Sequence, residues 1–94
     1  MAAYLIGHIT VKDPGQWKIY TDGVAKSLIP FRAEVIFRGK RAAVLCGEHS
    51  HYNSVVIKFP DQLTLQQWYN SKAYQDLISM RDKAAEVVLI SYDA

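Results

Sequence analysis

Trp68-Tyr69-Asn70-Ser71-Lys72-Ala73-Tyr74, running on through Leu77, Ile78 and Arg81, decides more about the fold than any other stretch of the chain. It follows Phe59-Pro60, where an apolar run ends at a residue that cannot donate to a sheet ladder. Asp61 is placed to cap a short helix carrying Leu65, Trp68 and Tyr69. Asn70-Ser71 interrupts that helix, and Ser71 caps a second one. In the second, Tyr74, Leu77, Ile78 and Arg81 share a face by the i, i+3, i+4, i+7 rule. A helix pair presenting aromatics to one side needs a sheet to cover that side.

Working outward, Ser54 to Phe59 is the clearest strand and Glu86 to Tyr92 is the last one. Ala3 to Val11 is a strand that sets Leu5, Gly7, Ile9 and Val11 on one face, with Tyr4, Ile6, His8 and Thr10 on the other. Asp13-Pro14 starts a helix, with Asp as N-cap and Pro at the first helical position. Trp17, Tyr20, Val24 and Leu28 make its apolar stripe, which Gly23 weakens by up to about 1 kcal/mol. Ile29-Pro30 ends it, since the residue before proline is pushed out of the helical region. Ala33 to Arg38 reads as a strand, Gly39-Lys40 as its turn, and Ala42 to Cys46 as a short return strand. Gly47 to Asn53 is then a polar loop. The order of elements predicts an α+β, ferredoxin-like split βαβ sandwich with one antiparallel sheet, in one domain spanning 1–94.

Composition limits the functions open to the chain. Eleven basic residues against nine acidic ones leave a formal charge of +2, too balanced for a nucleic-acid binder that relies on phosphate neutralisation. Half of the residues are hydrophobic and 21% are charged, a globular balance. Cys46 stands alone, so no internal disulfide can form, which fits a reducing compartment. No signal peptide and no membrane-spanning run is visible, and the expectation is a soluble cytoplasmic protein.

The pattern resembles a family of small proteins known only as a domain of unknown function, within the dimeric α/β-barrel superfamily. The resemblance rests on Tyr4-Leu5-Ile6, Val11-Lys12-Asp13-Pro14, Tyr20, Gly39, Phe59-Pro60, Trp68-Tyr69-Asn70-Ser71, Tyr74 and Arg81. It implies a homodimer in a superfamily that includes cofactor-independent oxygenases, isomerases and decarboxylases. The chain departs from the family pattern at Arg32-Ala33, where Gly-Gly is usual, and at Cys46-Gly47, where Glu-Gly is frequent. It departs again at Lys58, where an acidic residue is common. The resemblance therefore carries over no activity that depends on those carboxylates.

Each candidate site has a plain structural alternative. His8, His49 and His51 lack the ligand spacing of known zinc sites, so no metal is expected. Cys46 reads as core filler rather than nucleophile. Arg38-Gly39-Lys40-Arg41 reads as a solvated basic tip, without the Gly-rich loop that cradles phosphates. The aromatics are the serious candidates: Tyr20, Trp68 and Tyr74 suit the wall of a small-molecule pocket. Arg81 either anchors a carboxylate in that pocket or pairs with Asp13 or Glu86.

Three functions remain open on the sequence. One is a module binding a small organic molecule. Another is a cofactor-independent enzyme with His8 as acid or base beside Tyr20. The third is an interaction protein without a pocket. No cofactor is expected. A homodimer packed sheet to sheet is, because the outer sheet face would carry Tyr4, Ile6, Ile36 and Val56 beside His8, Thr10, Arg38 and Lys58. That mixture is too apolar for water and too polar for a dry core.

Overall fold

Burial alternates along β1 (Ala3–Val11) as far as Thr10, with Ala3, Leu5, Gly7 and Ile9 turned inward, as the sequence alternation predicts. In the computed structural model, which describes all 94 residues, β1 is a central strand of a four-stranded antiparallel sheet. The others are β2 (Glu34–Lys40), β3 (Asn53–Phe59) and β4 (Ala85–Asp93), in the order β2-β3-β1-β4. Every ladder is antiparallel, and each half of the chain is a strand, a helical crossover and a second strand two places away. This is the ferredoxin-like arrangement.

Asp13 caps α1 (Pro14–Leu28) by accepting from the Gln16 N–H at 3.2 Å. The helix stops where expected, but Ile29 is not pushed aside: it stays helical at φ −54°, ψ −48°. Pro30 instead removes the N–H that would continue the ladder. The chain tightens into a 3₁₀ turn over Ile29–Phe31 and reverses at Arg32, whose φ of 53° is left-handed. Gly23 is explained by space, since a Cβ there would lie 2.8 Å from Leu77 Cδ2.

The second crossover is α2 (Gln62–Tyr69), α3 (Lys72–Gln75) and α4 (Ile78–Ala84). Asp61 caps α2 through the Thr64 N–H at 2.7 Å, and Ser71 caps α3 through the Tyr74 N–H at 3.3 Å. Lys12 and Asp13 both donate backbone N–H groups to the Ala84 carbonyl, tying the start of α1 to the end of α4. One core lies between the helices and the sheet, built around Leu5, Ile57, Phe59, Leu65, Trp68 and Tyr74.

The predicted return strand at Ala42 to Cys46 does not form. β2 continues through Gly39 to Lys40 and pairs with β3, while 41–52 is an irregular, largely exposed connection. Gly39 is not a turn residue. It sits in the strand without positive φ, and the Phe37 ring lies over it. Cys46 is therefore an exposed loop thiol and not core filler. The Arg41 N–H and the Tyr52 carbonyl close the base of the loop at 2.6 Å.

Candidate functional site

α1 packs mainly along α3 and α4 rather than flat on the sheet, and a cavity of about 460 Å³ is left between it and the strands. The walls are Trp17, Tyr20, Val24 and Leu28 from α1, Leu5, Ile9 and Val11 from β1, and Trp68 from α2. Val35, Val55, Ile57, Val87 and Leu89 supply most of the sheet floor. The polar side chains are few: Thr21, Asn53, Arg38 and Lys40. Space of this size, apolar with a few convergent polar groups, is the ordinary form of a small-molecule site.

Tyr20 and Trp68, two of the residues singled out from sequence, line the cavity. Their polar atoms are already occupied. Trp68 Nε1 donates to Ser27 Oγ at 2.9 Å, and Ser27 in turn donates to the Val24 carbonyl at 2.7 Å. The Tyr20 and Tyr74 hydroxyls share a hydrogen bond of 2.9 Å. Burial, with Tyr74 beside it, pushes the Tyr20 hydroxyl well above the usual tyrosine range, so it remains protonated.

Tyr74 and Arg81 stand behind the wall rather than in it. Tyr74 is fully buried against Trp68, with ring centroids 4.4 Å apart. Arg81 pairs with neither Asp13 nor Glu86: Nη1 donates to the Tyr74 hydroxyl at 3.0 Å and Nε to Asp82 Oδ1 at 2.9 Å. The guanidinium thus reaches from α4 back across the break at Asp76–Leu77 to Tyr74 in α3. Burial opposes its charge, but the acceptors Tyr69, Asp82 and Tyr74 outweigh that, and its pKa is raised.

His8 lies on the opposite face of the sheet. It alternates with the inward Gly7 and Ile9, so it is not brought together with Tyr20. The 41–52 loop folds over this outer face and gathers the three histidines. The His8 and His49 rings are 4.9 Å apart, and those of His49 and His51 are 5.7 Å apart. His8 Nδ1 bonds to Ser54 Oγ at 3.1 Å and His51 Nδ1 to Thr10 Oγ1 at 2.9 Å. No group of three or more His, Cys, Asp or Glu side chains is arranged to hold a metal ion. Burial, and then the nearby His49 and His51, hold the His8 pKa below its ordinary value.

Sequence reading missed the inward placement of Arg38 and Lys40. Val35-Ile36-Phe37 is apolar throughout, so no alternation marks which residues face the helices.

The fold is shared with solved structures of low sequence identity. A protein of unknown function from Rhodopseudomonas palustris superposes with a TM-score of 0.80 at 12% identity, over 99% of this chain and 82% of that one. A dimeric ferredoxin-like protein of unknown function from Jannaschia sp. CCS1 gives 0.70 at 10% identity, over the whole of both chains. SnoaB, a cofactor-independent oxygenase from Streptomyces nogalater, gives 0.69 at 9% identity, over 99% and 92%. No curated protein matches the sequence. No helix is long and apolar enough to cross a membrane. Residues 2–93 match the model of one family, and the chain belongs to it: the domain of unknown function DUF1330.

Proposed function

We propose that the protein is a homodimer in which each subunit binds a small, largely apolar organic molecule in the cavity between α1 and the sheet. The observation that carries this reading is the cavity itself. Protein interiors are close-packed, and an unfilled space of this size forfeits contacts that a ligand would restore. Tyr20 and Trp68 offer it ring faces while their polar atoms stay bonded within the protein. Binding is favoured over acid–base catalysis because His8 faces away from the cavity and Tyr20 holds its proton. The dimer follows from the outer sheet face. Register places Tyr4 beside Tyr92, Ile6 beside Ile90 and Val56, and Phe37 beside Val56 on one surface. Phe37 remains 53% exposed in the single chain. A patch of that kind marks an interaction site, and the Jannaschia neighbour is described as dimeric.

Native mass spectrometry of freshly purified protein tests the cavity, alongside calorimetric titration with 2-naphthalenemethanol as a neutral apolar probe. Saturable binding of one probe per chain is expected, and Val87→Phe, which fills the floor, should abolish it. No co-purified mass together with no probe binding would overturn the reading.

A further inference from the structure

β2 and β3 fall out of step at one point. Val35 stands opposite Ile57, but Phe37 stands opposite Val56, so Ile36 is an extra residue in β2. A bulge of this kind exchanges the faces of everything beyond it. Residues directly opposite in an antiparallel ladder share a face. Val35 therefore follows Ile57 toward the helices. Past the bulge, Arg38 follows Val55 and Lys40 follows Asn53 to that same side. Val55 and Asn53 are fixed as inward by β1, where they stand opposite Gly7 and Ile9. An unbroken strand would have put Phe37 in the cavity and both cations on the outer face, where the sequence reading placed Arg38.

We infer that the ligand of this cavity carries a carboxylate, or a comparably compact anionic group, at one end of its apolar body, and that Arg38 and Lys40 receive that group. The inference rests on the reading of the cavity as a ligand site and names the ligand's chemical class. Both cations line the cavity, and no Asp or Glu does. Neither takes part in an ion pair, unlike Lys18, Lys72 and Arg81. Two like charges at alternate positions on one strand face repel each other, and a bound anion relieves both. The guanidinium of Arg38 offers the planar fork that matches a carboxylate.

The cavity is also polar at one end only. Arg38 and Lys40 sit with Asn53 and Ile9, where β1 ends and β3 begins. Leu5, Ile57, Leu28 and Trp68 form the other end. From Leu5 to Ile9 the sheet advances about 13 Å at roughly 3.3 Å per residue. That length suits a bicyclic or medium-chain acid with its charge at the β2 end. Cations on an edge strand ordinarily discourage edge pairing; here the bulge sets them on the helix side of the sheet, where they line the cavity while remaining exposed.

The test compares 2-naphthoate with 2-naphthalenemethanol, which share a ring system and differ in charge, by calorimetry at neutral pH. The wild-type protein should bind the carboxylate about tenfold more tightly than the alcohol, the scale of one charge-assisted contact. Arg38→Met should bring the ratio near one by weakening the carboxylate's binding, and Lys40→Met should reduce it in part. Lys58→Met, which removes the same charge from the outer face, should leave the ratio as it was. Equal affinities for the two probes, or a ratio that Lys58→Met lowers as much as Arg38→Met, would overturn the anionic assignment while the cavity reading stands. Binding of neither probe would remove both.

Discussion

Arg32 holds the chain in a left-handed conformation that side chains other than glycine adopt at a cost of about 1–2 kcal/mol. The family pattern has glycine at this position, and the backbone shows why. Replacing Arg32 by Gly removes the steric cost and adds roughly 0.5–1 kcal/mol of unfolded-state entropy. Arg32→Gly is expected to stabilise the fold by about 0.5–1 kcal/mol, read as a higher urea midpoint; a lower midpoint would show that the arginine side chain compensates for its backbone. Tyr74 is a second residue whose polar atom is fully committed. Tyr74→Phe deprives both Arg81 and Tyr20 of a partner and should cost about 1–3 kcal/mol. Tyr20→Phe leaves the Arg81–Tyr74 bond in place and should cost less, so equal losses in denaturant titrations would refute this ordering. Burial, and then the nearby His49 and His51, hold the folded-state pKa of His8 below its unfolded value of about 6.5. The unfolded state therefore takes up the proton first as pH falls. The stability His8 contributes is complete above that value and is lost as pH drops through the folded-state pKa. His49 and His51 face it across the loop and oppose the charge. The urea midpoint should decline between pH 7 and 5, and His8→Gln should flatten the decline; an equal decline in the variant would point to other groups.

The junction between α2 and α3 turns on one hydroxyl. Ser71 Oγ accepts from the Tyr74 N–H at 3.3 Å and donates to the Trp68 carbonyl at 2.6 Å. A capping serine is ordinarily replaceable by aspartate. Here aspartate keeps the acceptor, loses the donor and sets a negative charge against a carbonyl. Ser71→Ala should cost about 1 kcal/mol and Ser71→Thr much less, while Ser71→Asp should be no better than alanine. A thermal melt in which aspartate matches serine would show that the bond to Trp68 contributes nothing. The same junction positions Trp68, whose truncation to alanine should cost about 3–5 kcal/mol. An unchanged melting temperature would move that ring out of the core.

At the scale of the molecule, the open face of the sheet sets the prediction. Ile6 lies between Val56 and Ile90 at its centre, and Val88, Ile90 and Tyr92 are each more than a third exposed in the single chain. A two-fold contact would bury these residues against their equivalents and leave the histidines and Lys58 toward its rim. Sedimentation equilibrium at micromolar concentration should give twice the chain mass. Ile6→Asp should yield a monomer or an unfolded chain, which circular dichroism tells apart. A stable wild-type monomer at high concentration would sink the two-fold packing.

The single helix expected to carry Tyr74, Leu77, Ile78 and Arg81 divides into α3 and α4, but the alternation of β1 and the caps at Asp13, Asp61 and Ser71 were all legible in the amino-acid order. Each depends on residues a few positions apart, whose geometry local sterics and hydrogen bonding settle. The aromatic walls of the cavity were half legible: helical spacing picks out Tyr20, Trp68 and Tyr74 alike, but only packing decides which ring meets the empty space and which one props it. The return strand at Ala42 to Cys46 failed because a glycine beside lysine looks like a turn until one sees Phe37 lying over it. Arg38 was misplaced for a related reason. A single extra residue in an unbroken apolar run exchanges the two faces of β2, and nothing within β2 marks it. That register is set by the β3 partner, so sequence fixes which strand forms, whereas the tertiary ladder decides that two cations, and not a phenylalanine, point into the cavity.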